Sequence, residues 1–164
     1  MQLPVFTQTP SFDVLPSWRL SRFYDDPEPP LAFFQGFFTE DGLHIQLKAY
    51  EQPTERSYFC FTLLSGKKLC FSKVILPNKA DNSLQSISLQ GENLIGRYWG
   101  SQLFVPYSLC APPISGSIGL FHGNIPLCFL HDELQTGDSV YPLVRFNPEQ
   151  HPKSSSPENL TEGR

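Results

Sequence analysis

Apolar and polar residues alternate most clearly between Leu43 and Tyr50. There Leu43, Ile45, Leu47 and Ala49 interleave with His44, Gln46, Lys48 and Tyr50. A period of two sends neighbouring side chains to opposite faces of an extended chain, so this segment predicts a strand with one dry and one wet side. The preceding run, Leu31 to Phe38, carries four phenylalanines and predicts a more fully buried strand. Thr39-Glu40-Asp41-Gly42 lies between them, and Gly42 supplies the backbone freedom that closes a hairpin loop. An antiparallel hairpin is therefore expected at the centre of the fold.

Similar patterns recur along the chain. Trp18-Arg19-Leu20 suits a short edge strand. Tyr58 to Leu64 and Leu69 to Leu76 suit a second hairpin around Ser65-Gly66. Leu84 to Leu89 alternates, and Gly91-Glu92-Asn93 turns the chain into a long strand from Leu94 to Val105, with a bulge or bend expected at Gly96 or Gly100. Ile114 to Phe121 follows, then shorter candidates at Leu127 to Leu130 and Tyr141 to Phe146, around a loop at His131 to Asp138. No segment has a helical period. Roughly eight to ten short strands separated by turns predict an all-β chain, a single-domain antiparallel β-sandwich, with a closed barrel as the alternative. Residues 1–17 hold Pro4, Pro10 and Pro16 and are expected to form an irregular lead-in, 18–151 the sandwich, and 152–164 a polar disordered tail.

Composition narrows the function classes. Sixteen prolines and eleven glycines argue against long helices, while fourteen phenylalanines supply bulky core material. A net charge of −4 without any basic cluster argues against nucleic acid and anionic membrane as partners. The start, MQLPVFTQTPSFDVLPSW, lacks the basic and apolar regions of a signal peptide, and no stretch has the length of a membrane-spanning helix. A cytoplasmic location is expected, with Cys60, Cys70, Cys110 and Cys128 reduced.

Candidate chemistry centres on aromatic residues, because sugar C–H faces pack on rings while the hydroxyls need polar neighbours. Trp99 has Arg97, Tyr98, Gln102 and Tyr107 near it in sequence. It also shares parity with Leu103 and Val105, which turns it toward the core unless Gly100 bulges. His44, Gln46, Lys48 and Tyr50 form a face that suits either polyol binding or simple solvation. The His122, Cys128 and His131 spacing matches no common zinc pattern, and Asp25-Asp26-Pro27-Glu28 lacks the regular spacing of calcium ligands. No metal and no cofactor are expected. No G-x-S-x-G elbow, glycine-rich phosphate loop or H-E-x-x-H occurs, so a non-enzyme is expected.

Two segments together resemble the family-nine-like carbohydrate-binding modules. Thr39 to Glu51, TEDGLHIQLKAYE, is similar to the family's T-x-x-G-L turn leading into alternating residues and an acidic position. Trp99 to Leu109, WGSQLFVPYSL, is similar to the late strand W-x-x-E-apolar-x-I/V-P-F/Y-S-x-L. Gly123-Asn124 with Cys128, and Phe146 to Pro152, echo the G-N-x-x-x-C and P-x-F-H-x-P segments. The sequence departs from the pattern at Ser57 to Thr62, which lacks the family's carboxylates, and at Gln102, which stands in place of a glutamate. The resemblance implies a DOMON-type β-sandwich that binds a sugar or oligosaccharide without catalysis. Trp99, Arg97, Gln102, Tyr50, His44, Gln46 and Asn124 are the candidate contacts. The alternatives are a degenerate sandwich acting as an intracellular protein-interaction domain and a barrel with an apolar cavity for a lipid-like ligand.

Overall fold

The computed structural model describes residues 1–22, 31–79, 85–131 and 142–149. In chain order the strands are β1 (Gln2–Leu3), β2 (Trp18–Arg19), β3 (Ser21–Arg22), β4 (Leu31–Phe38), β5 (Gly42–Tyr50) and β6 (Ser57–Ser65). They continue with β7 (Lys68–Ile75), β8 (Gln85–Glu92), β9 (Arg97–Pro106), β10 (Ile114–His122), β11 (Ile125–Phe129) and β12 (Val144–Pro148). The one helical turn among the described residues is a 3-10 turn at Phe12–Val14. No helix among them is long and apolar enough to cross a membrane.

The predicted central hairpin is β4–β5, paired without slippage from Leu31↔Tyr50 to Phe38↔Leu43. Its sheet runs β2-β4-β5-β9-β8. The second sheet is built on β10. One edge of β10 pairs along its whole length with β6, which in turn carries β7. The other edge is shared, with β12 taking Ile114 to Gly116 and β11 taking Gly119 to His122. Among the described residues no ladder of paired strands joins the two sheets, which meet only in the isolated Val5↔Phe38 bridge beyond β1 and at the β2–β3 crossing, so the architecture is a β-sandwich and not a closed barrel. Between β2 and β3 the chain passes from one sheet to the other at buried Leu20, whose N–H donates to Ala32 O at 2.8 Å.

The inward faces meet in one apolar core. Leu43, Ile45, Leu47 and Ala49 are fully buried, and the Phe34 ring stacks on Phe146 at 5.4 Å. Residues 1–17 join this structure. β1 pairs in parallel with β12, Leu3 is fully buried, and Phe6 and Phe12 pack on Phe37 at 5.7 and 5.3 Å. Phe37 lies on the outer side of the first sheet, so the lead-in lies across that face.

At Gly100 the structure differs from the sequence expectation. β9 keeps its register with β5 through Gly100 without a bulge. The glycine is needed for close approach instead, because a Cβ there would stand 1.8 Å from Leu47 O. The bulges lie between Leu63 and Leu64 in the β6–β7 pair and between Leu120 and Phe121 in β10–β11. The Asp25 to Glu28 loop, Leu84, the segment from Asp132 to Tyr141 and the expected tail lie outside the described residues.

Candidate functional site

Three rows of side chains cross the outer face of the first sheet. The first is aromatic: His44 stacks on Phe37 at 4.5 Å and 5°, lies 4.5 Å from Phe104, and shares a hydrogen bond with Thr39 Oγ1 at 3.0 Å. Burial lowers the His44 pKa from its ordinary value, and nearby Asp41 offsets part of that shift. This imidazole is held as part of the sheet.

The second row is a chain of amides. Gln102 Nε2 donates to Gln46 Oε1 at 2.7 Å, and Gln46 Nε2 donates to Gln35 Oε1 at 2.8 Å. Gln35 Nε2 then donates to Phe12 O at 2.8 Å and Leu15 O at 3.0 Å. Both amide protons of Gln35 are thereby used, and the row ties the lead-in onto the sheet.

The third row is open. Phe33, Lys48 and Tyr50 line a cleft of about 260 Å3 whose further walls include Asp13, Ser17 and Ile95. Cross-strand register sets Phe33 opposite Lys48, and the same-face parity of β5 places Tyr50 two residues further on. The Phe33 and Tyr50 rings stand 5.8 Å apart at 85°. Tyr50 also meets Tyr98 edge-on at 5.6 Å, and Lys48 Nζ lies 4.4 Å over the Tyr98 ring. Asn93 Nδ2 donates to the Tyr50 hydroxyl at 2.7 Å, which fixes the ring. The cleft thus presents two apolar ring surfaces beside an ammonium, a carboxylate and hydroxyls. Such a set can pack a sugar ring and hydrogen-bond its rim. A wider hollow of about 660 Å3, at Pro53 to Glu55 and Leu76 to Lys79, has no aromatic ring in its walls.

Trp99 belongs to the opposite, inner face. It is 1% exposed, packs on Phe59 at 5.1 Å, and donates from Nε1 to Glu51 Oε1 at 3.2 Å. The other carboxylate oxygen of Glu51 meets His122 Nε2 at 2.7 Å. Burial pushes the neighbouring Cys128 thiol up to about 12, with the Glu51 charge adding to the rise and Arg19 opposing it.

Searches of protein-family models and of curated proteins found no match to the sequence. The fold does have a solved counterpart, a family 9 carbohydrate-binding module from Caldicellulosiruptor kristjanssonii in complex with glucose. It covers 96% of this chain and 100% of its own length, with a TM-score of 0.52 and 10% identity. The fold is that of a family-nine carbohydrate-binding module.

Within this module fold the seven sequence candidates do not form one site. Tyr50 lines the cleft. Gln46 and Gln102 stand behind Gln35 in the amide row, and His44 is locked between rings. Trp99 is core. Arg97 is exposed and lies 3.8 Å from Glu92, while Asn124 is exposed on the β10–β11 turn of the other sheet. The candidate set lacked Phe33, Asp13, Ser17 and Ile95, while Lys48 is read from the sequence only as part of the polar face of β5. Parity could have signalled Phe33, which alternates with buried Phe34 and aligns with Gln35. Nothing local marks Asp13 or Ser17, because the lead-in reaches the sheet only in the folded chain. Glu51 and His122 were also legible by parity. Each continues an inward-facing series, Leu47–Ala49–Glu51 and Ile118–Leu120–His122.

Proposed function

We propose that this module binds a saccharide at the Phe33–Lys48–Tyr50 cleft and acts by binding, not turnover. The observation that carries the reading is the cleft itself, in which two rings set at right angles adjoin Lys48, Asp13, Ser17 and the Tyr50 hydroxyl. At about 260 Å3 the space suits one sugar ring better than a long oligosaccharide. The glucose complex of the structural counterpart supports the same ligand class.

Calorimetric titration with glucose and short gluco-oligosaccharides tests the proposal. Tyr50→Ala and Phe33→Ala should each weaken binding about tenfold or more, since aromatic contacts dominate such sites. Arg97→Ala and Asn124→Ala should leave affinity unchanged. Absence of binding by any neutral saccharide at millimolar concentration would overturn the reading. A protein-interaction role is the second reading, supported by exposed Ile87, Leu94 and Ile95 on β8 and the turn into β9.

A further inference from the structure

Cys70 occupies an irregular place in its strand. In the β6–β7 pair Leu63 faces Phe71 and Leu64 faces Leu69, so Cys70 is the extra residue of the bulge. The bulge turns this half-buried side chain toward the core edge, where it packs against the buried cluster that includes Cys110. Cys110 is brought there by the loop after β9. Its N–H donates to Pro106 O at 3.1 Å, the adjacent Ala111 O accepts from Ser65 Oγ, and Gly66 N–H donates to Pro113 O at 2.7 Å. These bonds hold the loop over the β6–β7 turn, beside the bulge that carries Cys70, so that the Cys110 thiol feels the neighbouring Cys70. Cys70 itself donates to Lys68 O at 3.9 Å. Both cysteines are reduced in this structure. Cys60 sits on the outer face of β6 opposite Val74, with the inward residues Phe59 and Phe61 on either side.

We propose that Cys70 and Cys110 form a dithiol site that a small-molecule disulfide converts to an intramolecular bond, with the accessible Cys70 reacting first. The Cys70 thiolate attacks one sulfur of the small disulfide, whose S–S bond breaks and releases one thiolate, which takes up a proton. Cys110, as its thiolate, then attacks the Cys70 sulfur and expels the small group as a second thiol. Two cysteine thiols are oxidised by two electrons, and one small disulfide is reduced to two thiols. Burial, together with the neighbouring Cys70, pushes the Cys110 thiol up to about 12. Ring closure is therefore the slow step and should accelerate about tenfold per pH unit between neutral and mildly alkaline conditions. The bond would pin the edge strand β7 to the loop that follows β9.

The test is incubation of the full chain with oxidised glutathione at neutral pH and at pH 9, followed by intact mass and peptide mapping. The expected product has lost about 2 Da, carries no adduct, and maps to a Cys70–Cys110 link. Its thermal midpoint should lie several degrees above that of the reduced protein, returning on reduction. Cys110→Ser should instead accumulate one glutathione at Cys70, and Cys70→Ser should neither lose the 2 Da nor take up glutathione at Cys110. A stable adduct at Cys70 in the wild-type protein would overturn the proposal, as would an unmodified Cys70 or a link to Cys60 or Cys128. Should Cys110→Ser fail to fold, the wild-type peptide map decides alone.

Discussion

Glu51 and His122 join the two sheets through a 2.7 Å contact between carboxylate and imidazole. Glu51 follows β5 in one sheet and His122 ends β10 in the other. The side chain of Glu51 is only 10% exposed, and its second oxygen accepts the Trp99 indole N–H. One carboxylate thus satisfies two donors at the end of the sandwich, where the core would otherwise leave the indole N–H buried without a partner.

Glu51→Ala should therefore destabilise the fold by about 2–3 kcal/mol, since it strands a buried donor and removes an inter-sheet contact. Urea unfolding at pH 7 measures this. Glu51→Gln should retain part of the loss, because an amide oxygen can still accept from Trp99.

Trp99→Ala should cost about 3–5 kcal/mol, the usual penalty for deleting a large buried ring. Any saccharide affinity that survives in folded protein should match wild type, because Trp99 lies on the face opposite the cleft. With Trp18 replaced by phenylalanine, the emission of Trp99 should be blue-shifted and resistant to quenchers.

Gln35→Ala should release the lead-in from the sheet. It removes the donors to Phe12 O and Leu15 O and the acceptor for Gln46, at an expected cost of about 1–3 kcal/mol. Amide exchange in residues 11–15 should accelerate. Saccharide binding should weaken although Gln35 has no free amide proton to offer a ligand, because Asp13 and Ser17 lose their fixed positions. Unchanged exchange would show that the amide row does not anchor the lead-in.

His44 predicts a pH dependence. Burial holds its folded-state pKa below the unfolded value of 6.5, so the unfolded chain binds the proton more readily. The neutral ring's stabilising contribution is complete above about pH 6.5 and is lost as pH falls through the lower folded pKa. His44→Phe, which keeps an aromatic ring between Phe37 and Phe104, should flatten the fall in thermal midpoint from pH 7.5 to 5.5. An unchanged slope would assign the acid sensitivity to other groups.

The sequence by itself determined the strands whose one face is dry. Leu43 to Tyr50 and Ile114 to Phe121 are set by a period of two, a local property, and the four phenylalanines of Leu31 to Phe38 mark the buried partner. Parity alone also turned Trp99 inward, and the likeness of Thr39–Glu51 and Trp99–Leu109 to a module family anticipated the fold. Only the tertiary structure decided which outward residues line the cleft. Gln35, Gln46 and Gln102 look equally solvated in sequence, yet register aligns them into a half-buried amide row that seats a segment some twenty residues earlier in the chain. The same seating adds Asp13 and Ser17 to the walls around Phe33 and Tyr50. Glu51 with His122, and Cys70 with Cys110, meet for a similar reason: sequence periodicity assigns a face, whereas the pairing of distant residues is set by how sheets stack and loops fold back.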